Sequence, residues 1–253
     1  MAPWDSRQYL KYEDHRLRPA IDLIARIEAS PAEVWDLGCG TGTITAMLAE
    51  RWPMATVHGL DSSPQMLERA PSVVGIDWVA GDIATWTAAS PVDLLFSNAA
   101  LQWLDDHAVL FPRIVASVAS GGVIAVQMPR NYGAPSHTLL AETARSPRWS
   151  ARVAHLIRPA PVAEPTFYYD LLRPLLDPID LWETEYQQVL TGTDPVAEWT
   201  KGTAALPFLE ALGGDAEAFM ADYAARLRDA YPPRPDGTTL FGFKRLFMVG
   251  RKK

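Results

Sequence analysis

An α/β fold built on a doubly wound parallel sheet is predicted for this 253-residue chain by three observations. Short apolar runs with strand character alternate with amphipathic helical stretches from Leu17 to Met128. A glycine-rich bend joins the first strand to the helix after it, and a strongly apolar run, Leu240 to Val249, closes the chain. Alternation of this kind buries a parallel sheet between helices on both faces.

From Leu17 to Ala29 the apolar Ala20, Leu23, Ile24 and Ile27 recur at helical spacing, with Pro19 suited to a first turn. Val34 to Leu37 reads as a buried strand and Gly38 to Gly42 as a tight bend. Ile44, Met47 and Leu48 then form one face of a second helix that ends at Trp52 and Pro53. Thr56 to Leu60 is the next strand, leading to Asp61 and a helix opening near Ser63 and Pro64. Ile76 to Ala80, Val92 to Phe96 and Val123 to Met128 supply three more strands, with His107 to Ala119 helical before the last.

The pattern changes after Pro129. Residues 130 to 180 are rich in proline and arginine with short helical pieces, and Leu181 to Leu190 recovers strand character. Residues 191 to 239 include a helix with Phe219, Tyr223 and Leu227 on one side. Two insertions of about fifty residues exceed ordinary connections, so they are expected to pack as a helical cap over one sheet edge. The expected organisation is an N-terminal segment and helix over 1–29 and a ligand-binding core over 30–129. Cap insertions follow over 130–180 and 191–239, with the last two sheet strands in 181–190 and 240–253.

Thirty acidic against 23 basic side chains give a net charge of −7, which disfavours a polyanionic partner. One cysteine, Cys39, can form neither an internal disulfide nor a cysteine-rich metal cage, and suits a reducing compartment. Asp5, Arg7, Lys11, Glu13 and Asp14 rule out the apolar core of a signal peptide, and no apolar run reaches membrane-spanning length. A cytoplasmic protein acting on a small molecule is expected, with no metal, nucleic-acid or membrane partner. Most of the nine tryptophans are expected in the core.

The chemistry concentrates in DLGCGTG at 36 to 42. Glycines there let the backbone approach a ligand and turn into a helix whose free N–H groups face it. Alone, such a bend is also an ordinary tight turn. Asp61 ends the second strand, where an acid accepts ribose hydroxyls, and Asp82 follows the third on the adenine side. Asp82 by itself equally suits a cap or turn. Asp36 would repel the pyrophosphate of a dinucleotide, whereas it attracts the ammonium and sulfonium of S-adenosylmethionine, which is therefore the expected cofactor. Cys39 reads as a small buried residue without a nucleophilic role.

DLGCGTG, HGLDSSPQML at 58 to 67, GDIATW at 81 to 86 and SNAALQWL at 97 to 104 together resemble the class I S-adenosylmethionine-dependent methyltransferases. WDSRQYLKYEDHRLRPAIDLIARI near the start, QMPRNYGAPSH at 127 to 137, YYDLL at 168 to 172, LWETEYQQVL at 181 to 190 and FKRLFMVGRK near the end narrow this. They resemble the trans-aconitate methyltransferase family over almost the whole chain. The resemblance implies a Rossmann-like doubly wound seven-stranded sheet, mostly parallel with an antiparallel last strand, plus a helical cap. It also implies formation of a monomethyl ester of an unsaturated tricarboxylate. Gly38, Gly40, Asp61, Asp82 and Asn98 would surround the cofactor, Met66 and Ile83 would lie at its adenine, and Tyr9 and Arg16 of an N-terminal lid would meet its amino-acid end. The chain departs from the pattern at Arg130, often aspartate, and at AALPF, 204 to 208, where Leu206 replaces a basic residue.

A carboxylate is ionised at neutral pH, so no general base is needed and none is expected. Alignment about 3 Å from the methyl carbon is the main catalytic task. Desolvating a polyacid requires arginine forks or other donors. Candidates at the carboxyl ends of the strands are Trp103, Asn131, Tyr132 and His137. Tyr168, Trp199 and Lys201 of the cap and Arg245 at the start of the last strand complete the set. Arg251, Lys252 and Lys253 are expected as a solvated tail far from the chemistry. Methylation of a malonyl thioester on a carrier protein, which SNAALQWL also resembles, is an alternative, as is a non-catalytic nucleoside-binding regulator.

Overall fold

The computed structural model describes residues 13–253. Seven strands, β1 (Glu33–Leu37), β2 (Thr56–Asp61), β3 (Ile76–Ala80), β4 (Val92–Asn98), β5 (Val118–Pro129), β6 (Leu176–Leu190) and β7 (Thr239–Lys252), form one sheet in the order β3-β2-β1-β4-β5-β7-β6. β1 to β5 pair in parallel, and β7 runs antiparallel to β5 from Val123↔Arg251 to Pro129↔Arg245. The expected mostly parallel sheet with an antiparallel last strand is the one observed. Its strand order reverses between β1 and β4, and open sheets of this kind bind ligands beside such a reversal, at the carboxyl ends of the strands.

Two compact units divide the described chain. The sheet-bearing unit holds Arg16–Pro129, Pro161–Thr184 and Arg245–Lys253. Its interior is the apolar run of each central strand: Leu94, Leu95 and Phe96 of β4 are fully buried, as expected where helices cover both faces. Helix Glu13–Ala25 buries Ala20, Leu23 and Ile24, while Ile27 lies just past its end. That helix begins and ends four residues earlier than the sequence suggests, so Pro19 falls inside it. Helix Pro165–Leu172 packs on His107–Ala116 through Tyr168 and Phe111, whose ring centroids are 5.2 Å apart.

The other unit holds Arg130–Ala160 and Glu185–Lys244. Helices Pro135–Arg145, Pro195–Lys201, Leu206–Leu212 and Ala216–Ala230 surround a core that contains Trp149, Trp199, Phe208, Phe219, Tyr223 and Phe241. The first insertion therefore divides, because residues 161–184 group with the sheet instead of with 191–239.

Two further expectations are corrected. Residues 117–119 are not helical: β5 already begins at Val118, and Ala119 to Gly122 form an irregularity between the pairs Val92↔Val118 and Leu94↔Val123. Arg251, Lys252 and Lys253 are not a loose tail. Arg251 donates to the carbonyls of Gly121 and Glu28, Lys252 to those of Ala116 and Val118, and Lys253 to those of Arg173 and Pro174. These cations satisfy free carbonyl groups and extend β7 to Lys252.

Candidate active site

The bend after β1 is a hairpin held from below by β2. The Leu60 carbonyl accepts from the N–H groups of Gly38 at 2.8 Å and Cys39 at 3.0 Å. Gly38 and Gly40 have φ of +80° and +57°, the left-handed region that favours glycine. A Cβ on Gly38 would stand 2.2 Å from Ala100 Cβ, so the loop after β4 packs directly on this bend. A Cβ on Gly40 would meet nothing within 4 Å, which leaves open space on that side of the hairpin.

Asp61 ties the hairpin to the next loop. Its Oδ2 accepts from Gly40 N–H and its Oδ1 from Ser63 N–H, both at 2.8 Å, and each oxygen keeps lone-pair capacity for a ribose hydroxyl. Ser63 in turn caps the short helix Pro64–Leu67 by accepting from Met66 N–H, which fixes Met66 in a buried position. Ile83 is buried too, its Cδ1 about 3.5 Å from where a Gly38 Cβ would lie. Asp82 is exposed and its Oδ1 closes a turn onto Ala84 N–H at 2.8 Å.

Asp36 is buried, and the Thr45 hydroxyl donates to its Oδ2 at 2.7 Å. Burial pushes the carboxyl up to about 7; the Thr45 bond opposes the rise and the neighbouring Asp61 adds to it. Burial also pushes the Cys39 thiol up, with Asp36 and Asp61 acting in the same direction, so this cysteine is a poor nucleophile. Asn98 ends β4 with a buried Oδ1 that has no hydrogen-bond partner. An unsatisfied buried acceptor beside an open hairpin fits a cationic ligand group such as an ammonium, and the two aspartates supply matching charge. The residues present thus suit the aminoacyl sulfonium nucleoside expected from the sequence. Tyr9 lies outside the described residues, as does the side chain of Arg16.

The substrate-side candidates separate. Trp103, in a turn just after β4, is 61% exposed. Arg245 is buried, and its Nη1 donates to Gln127 Oε1 at 3.4 Å. Tyr168 is fully buried with its hydroxyl engaged: it lies 2.6 Å from His107 Nδ1 and accepts from Ala163 N–H at 3.2 Å. His107 Nε2 donates to the Leu101 carbonyl, so Nδ1 is the acceptor and the tyrosine hydroxyl the donor. Tyr168 is consequently a packing residue, as is Trp199, which is buried against Phe241. Lys201 pairs with Glu198.

Asn131 is spent on structure, its Nδ2 donating to Ser136 Oγ and its Oδ1 accepting from Lys244 N–H. Ser136 Oγ lies 3.1 Å from His137 Nδ1, and Tyr132 packs edge-on to the same imidazole. Burial pulls His137 down to about 4, so the ring is neutral at physiological pH. Among the described residues no group of three or more His, Cys, Asp or Glu could hold a metal ion, and no helix is long and apolar enough to cross a membrane.

A methyltransferase-domain family matches residues 34–122. A trans-aconitate 2-methyltransferase of Azoarcus sp. is 48% identical over 98% of this chain and 99% of its own length. One from Rhizobium rhizogenes is 44% identical over 99% of both. The chain belongs to the trans-aconitate 2-methyltransferase family. Solved structures share the fold at low identity. The YcgJ protein of Bacillus subtilis superposes with a TM-score of 0.59 at 14% identity, covering 95% of this chain and 99% of that one. A Haemonchus contortus phosphoethanolamine N-methyltransferase, solved with S-adenosylhomocysteine, gives 0.56 at 14% identity, covering 93% of this chain and 53% of that one.

For this trans-aconitate 2-methyltransferase relative, sequence reasoning passed over three residues that shape the site. Thr45 is the Asp36 partner, and its signal was a hydroxyl in the first turn after the glycine bend. Gln102 donates from Nε2 to the Ala99 carbonyl at 2.6 Å and supports the loop that follows Asn98. Gln127 is a polar residue inside the apolar run from Val123 to Met128, an interruption that marks a strand end facing chemistry.

Proposed function

We propose that this chain is an S-adenosylmethionine-dependent O-methyltransferase that converts trans-aconitate to a monomethyl ester. The observation that carries the reading is the strand-end constellation at the β1/β4 reversal: an open Gly40 hairpin tied to Asp61, beside the unsatisfied Asn98 Oδ1. Full-length membership of a family named for this reaction supplies the acceptor.

When bound, S-adenosylmethionine supplies a methyl group already activated on a sulfonium. Asp61 would offer its remaining lone pairs to the ribose hydroxyls, Asn98 Oδ1 would accept from the ammonium, and Asp36 would provide negative charge beneath the hairpin. Met66 and Ile83 would give the apolar wall for the adenine, and Asp82 would meet its edge. The acceptor carboxylate, with a reference pKa near 4, needs no base to become a nucleophile. The chain's remaining task is to desolvate and hold the acid. Arg245 is proposed for a carboxylate, His137 for a second donor, and Trp103 for a wall, with Asn131 orienting His137 through Ser136. The reading takes the insertion helices as a cap and the protein as cytoplasmic, acting on a small polycarboxylate without nucleic-acid or membrane partners. The net charge of −7 is its support against a phosphate track.

Incubation with methyl-labelled S-adenosylmethionine and trans-aconitate, followed by mass analysis of the product, tests this directly. A monomethyl ester is expected. Transfer to malonyl carrier protein without transfer to trans-aconitate would replace the acceptor, and cofactor binding without turnover on either would leave a regulator.

A further inference from the structure

Gln127 is fully buried in β5, between Val126 and Met128, where an aliphatic side chain would cost less. Register pairs it with Asn98 of β4 in parallel and with Phe247 of β7 in antiparallel, two residues from Arg245. Paired residues and those two apart share a face of a sheet, so Asn98, Gln127 and Arg245 form one polar row on that face. Their order follows the carboxyl ends of β4 and β5 and the adjoining stretch of β7.

The two ends of the Gln127 amide are treated differently. Oε1 accepts from Arg245 Nη1 at 3.4 Å, whereas Nε2 is buried and has no hydrogen-bond partner. A buried donor left unsatisfied is costly, and folding alone does not repay it. An acceptor brought by a ligand would satisfy it, and beside a guanidinium that is only 5% exposed the favoured acceptor is an anion.

We propose that Gln127 is a specificity-determining residue whose Nε2–H donates to a carboxylate of the acceptor acid, while its Oε1 aims the Arg245 guanidinium at that same carboxylate. The inference rests on the carboxyl-methylation reading and sharpens it. Pairing with two N–H donors drains charge from an oxygen and weakens it as a nucleophile, so the gripped carboxylate is one that is not methylated. The enzyme thereby selects acids with at least two carboxylates. The amino-acid end of the cofactor carries the same chemical group, and the test separates the two sources.

The measurements are steady-state kinetics on trans-aconitate, calorimetric titration with S-adenosylhomocysteine and thermal melting, made on wild type, Gln127→Met and Gln127→Glu. For Gln127→Met the expected result is a KM for trans-aconitate raised by about tenfold to a hundredfold, the range for a hydrogen bond to a charged group. Its kcat should change less than KM, its melting temperature should be equal or higher, and its S-adenosylhomocysteine affinity should stay within about twofold. Gln127→Glu pairs with Arg245 and repels the acid, so its loss should exceed that of the methionine variant. An unchanged KM in the methionine variant overturns the proposal, and a parallel loss of S-adenosylhomocysteine affinity assigns the carboxylate to the cofactor and overturns it equally. Failure of the wild type to methylate trans-aconitate defeats the underlying reading instead, a result visible before any variant is compared.

Discussion

The backbone N–H of Gly40 donates to Asp61 Oδ2 at 2.8 Å, joining the hairpin after β1 to the carboxyl end of β2 through a single carboxylate. The same carboxylate holds Ser63 N–H through Oδ1, so Asp61 shapes the bend and the adenine-side loop together while retaining lone pairs for a ligand. Asp61→Ala therefore removes a ligand contact and loosens the loop that frames it. Affinity for S-adenosylhomocysteine should fall by about tenfold to a hundredfold in calorimetry, with the far-UV circular dichroism unchanged. Undiminished affinity would remove Asp61 from the ribose site.

Asp36 makes cofactor binding depend on pH. Burial holds its carboxyl at about 7 in the ligand-free protein, so it is largely protonated at pH 6 and ionised at pH 8. A ligand ammonium or sulfonium favours the ionised form and lowers that pKa, so binding below about 7 releases a proton. Affinity should rise by up to tenfold per pH unit as pH approaches 7 and level off above it. Asp36→Asn should flatten the profile. Stability of the free protein carries the opposite sign: the raised pKa contributes stability that is complete below the ordinary carboxylate range and is lost as pH rises through about 7. Asp36→Asn should accordingly melt higher relative to wild type at pH 8 than at pH 5. Titration in two buffers of different ionisation enthalpy reads the released proton, and its absence at pH 6.5 would contradict the assignment.

The cofactor side was legible because local signals and tertiary placement coincide there. Short strand-like segments alternate with helices between Gly, Pro and Asp punctuation, and the parallel sheet brings Asp61 at the end of β2 and Asn98 at the end of β4 to one edge. The substrate side was not, because burial in the insertions is decided by packing between segments distant in sequence. Tyr168 meets His107 across 61 positions and Tyr223 meets Ser136 across 87, and no periodicity announces either contact. Tyr168 and Trp199, substrate candidates by sequence, are for that reason core residues. The start of β5 reads as helix in the sequence since Val118 and Ala119 suit both states, and only pairing with Val92 decides.

Tyr168 has a purely structural part. Its hydroxyl donates to His107 and accepts from Ala163 N–H, linking helix Pro165–Leu172 to the start of helix His107–Ala116. Tyr168→Phe keeps the ring and deletes both bonds, which should cost about 1–3 kcal/mol in urea unfolding while leaving KM for trans-aconitate within about twofold. A large KM increase at undiminished stability would return Tyr168 to the substrate site.

Gly38 and Gly40 separate what the hairpin needs for folding from what it needs for binding. Both have positive φ, so alanine at either costs about 1–2 kcal/mol of conformational strain. Only at Gly38 does the new methyl collide with protein, at 2.2 Å from Ala100 Cβ, and relief of that collision displaces the loop that follows Asn98. Gly38→Ala should therefore lose about 2–5 kcal/mol of stability, strain and overpacking together, and cofactor affinity with it. At Gly40 the methyl enters space where no protein atom lies within 4 Å. Gly40→Ala should stay folded with a melting temperature reduced by a few degrees, yet bind S-adenosylhomocysteine at least about tenfold more weakly, since the methyl occupies the ligand's side of the bend. Wild-type affinity in a folded Gly40→Ala protein would show that the cofactor does not lie against that face of the hairpin.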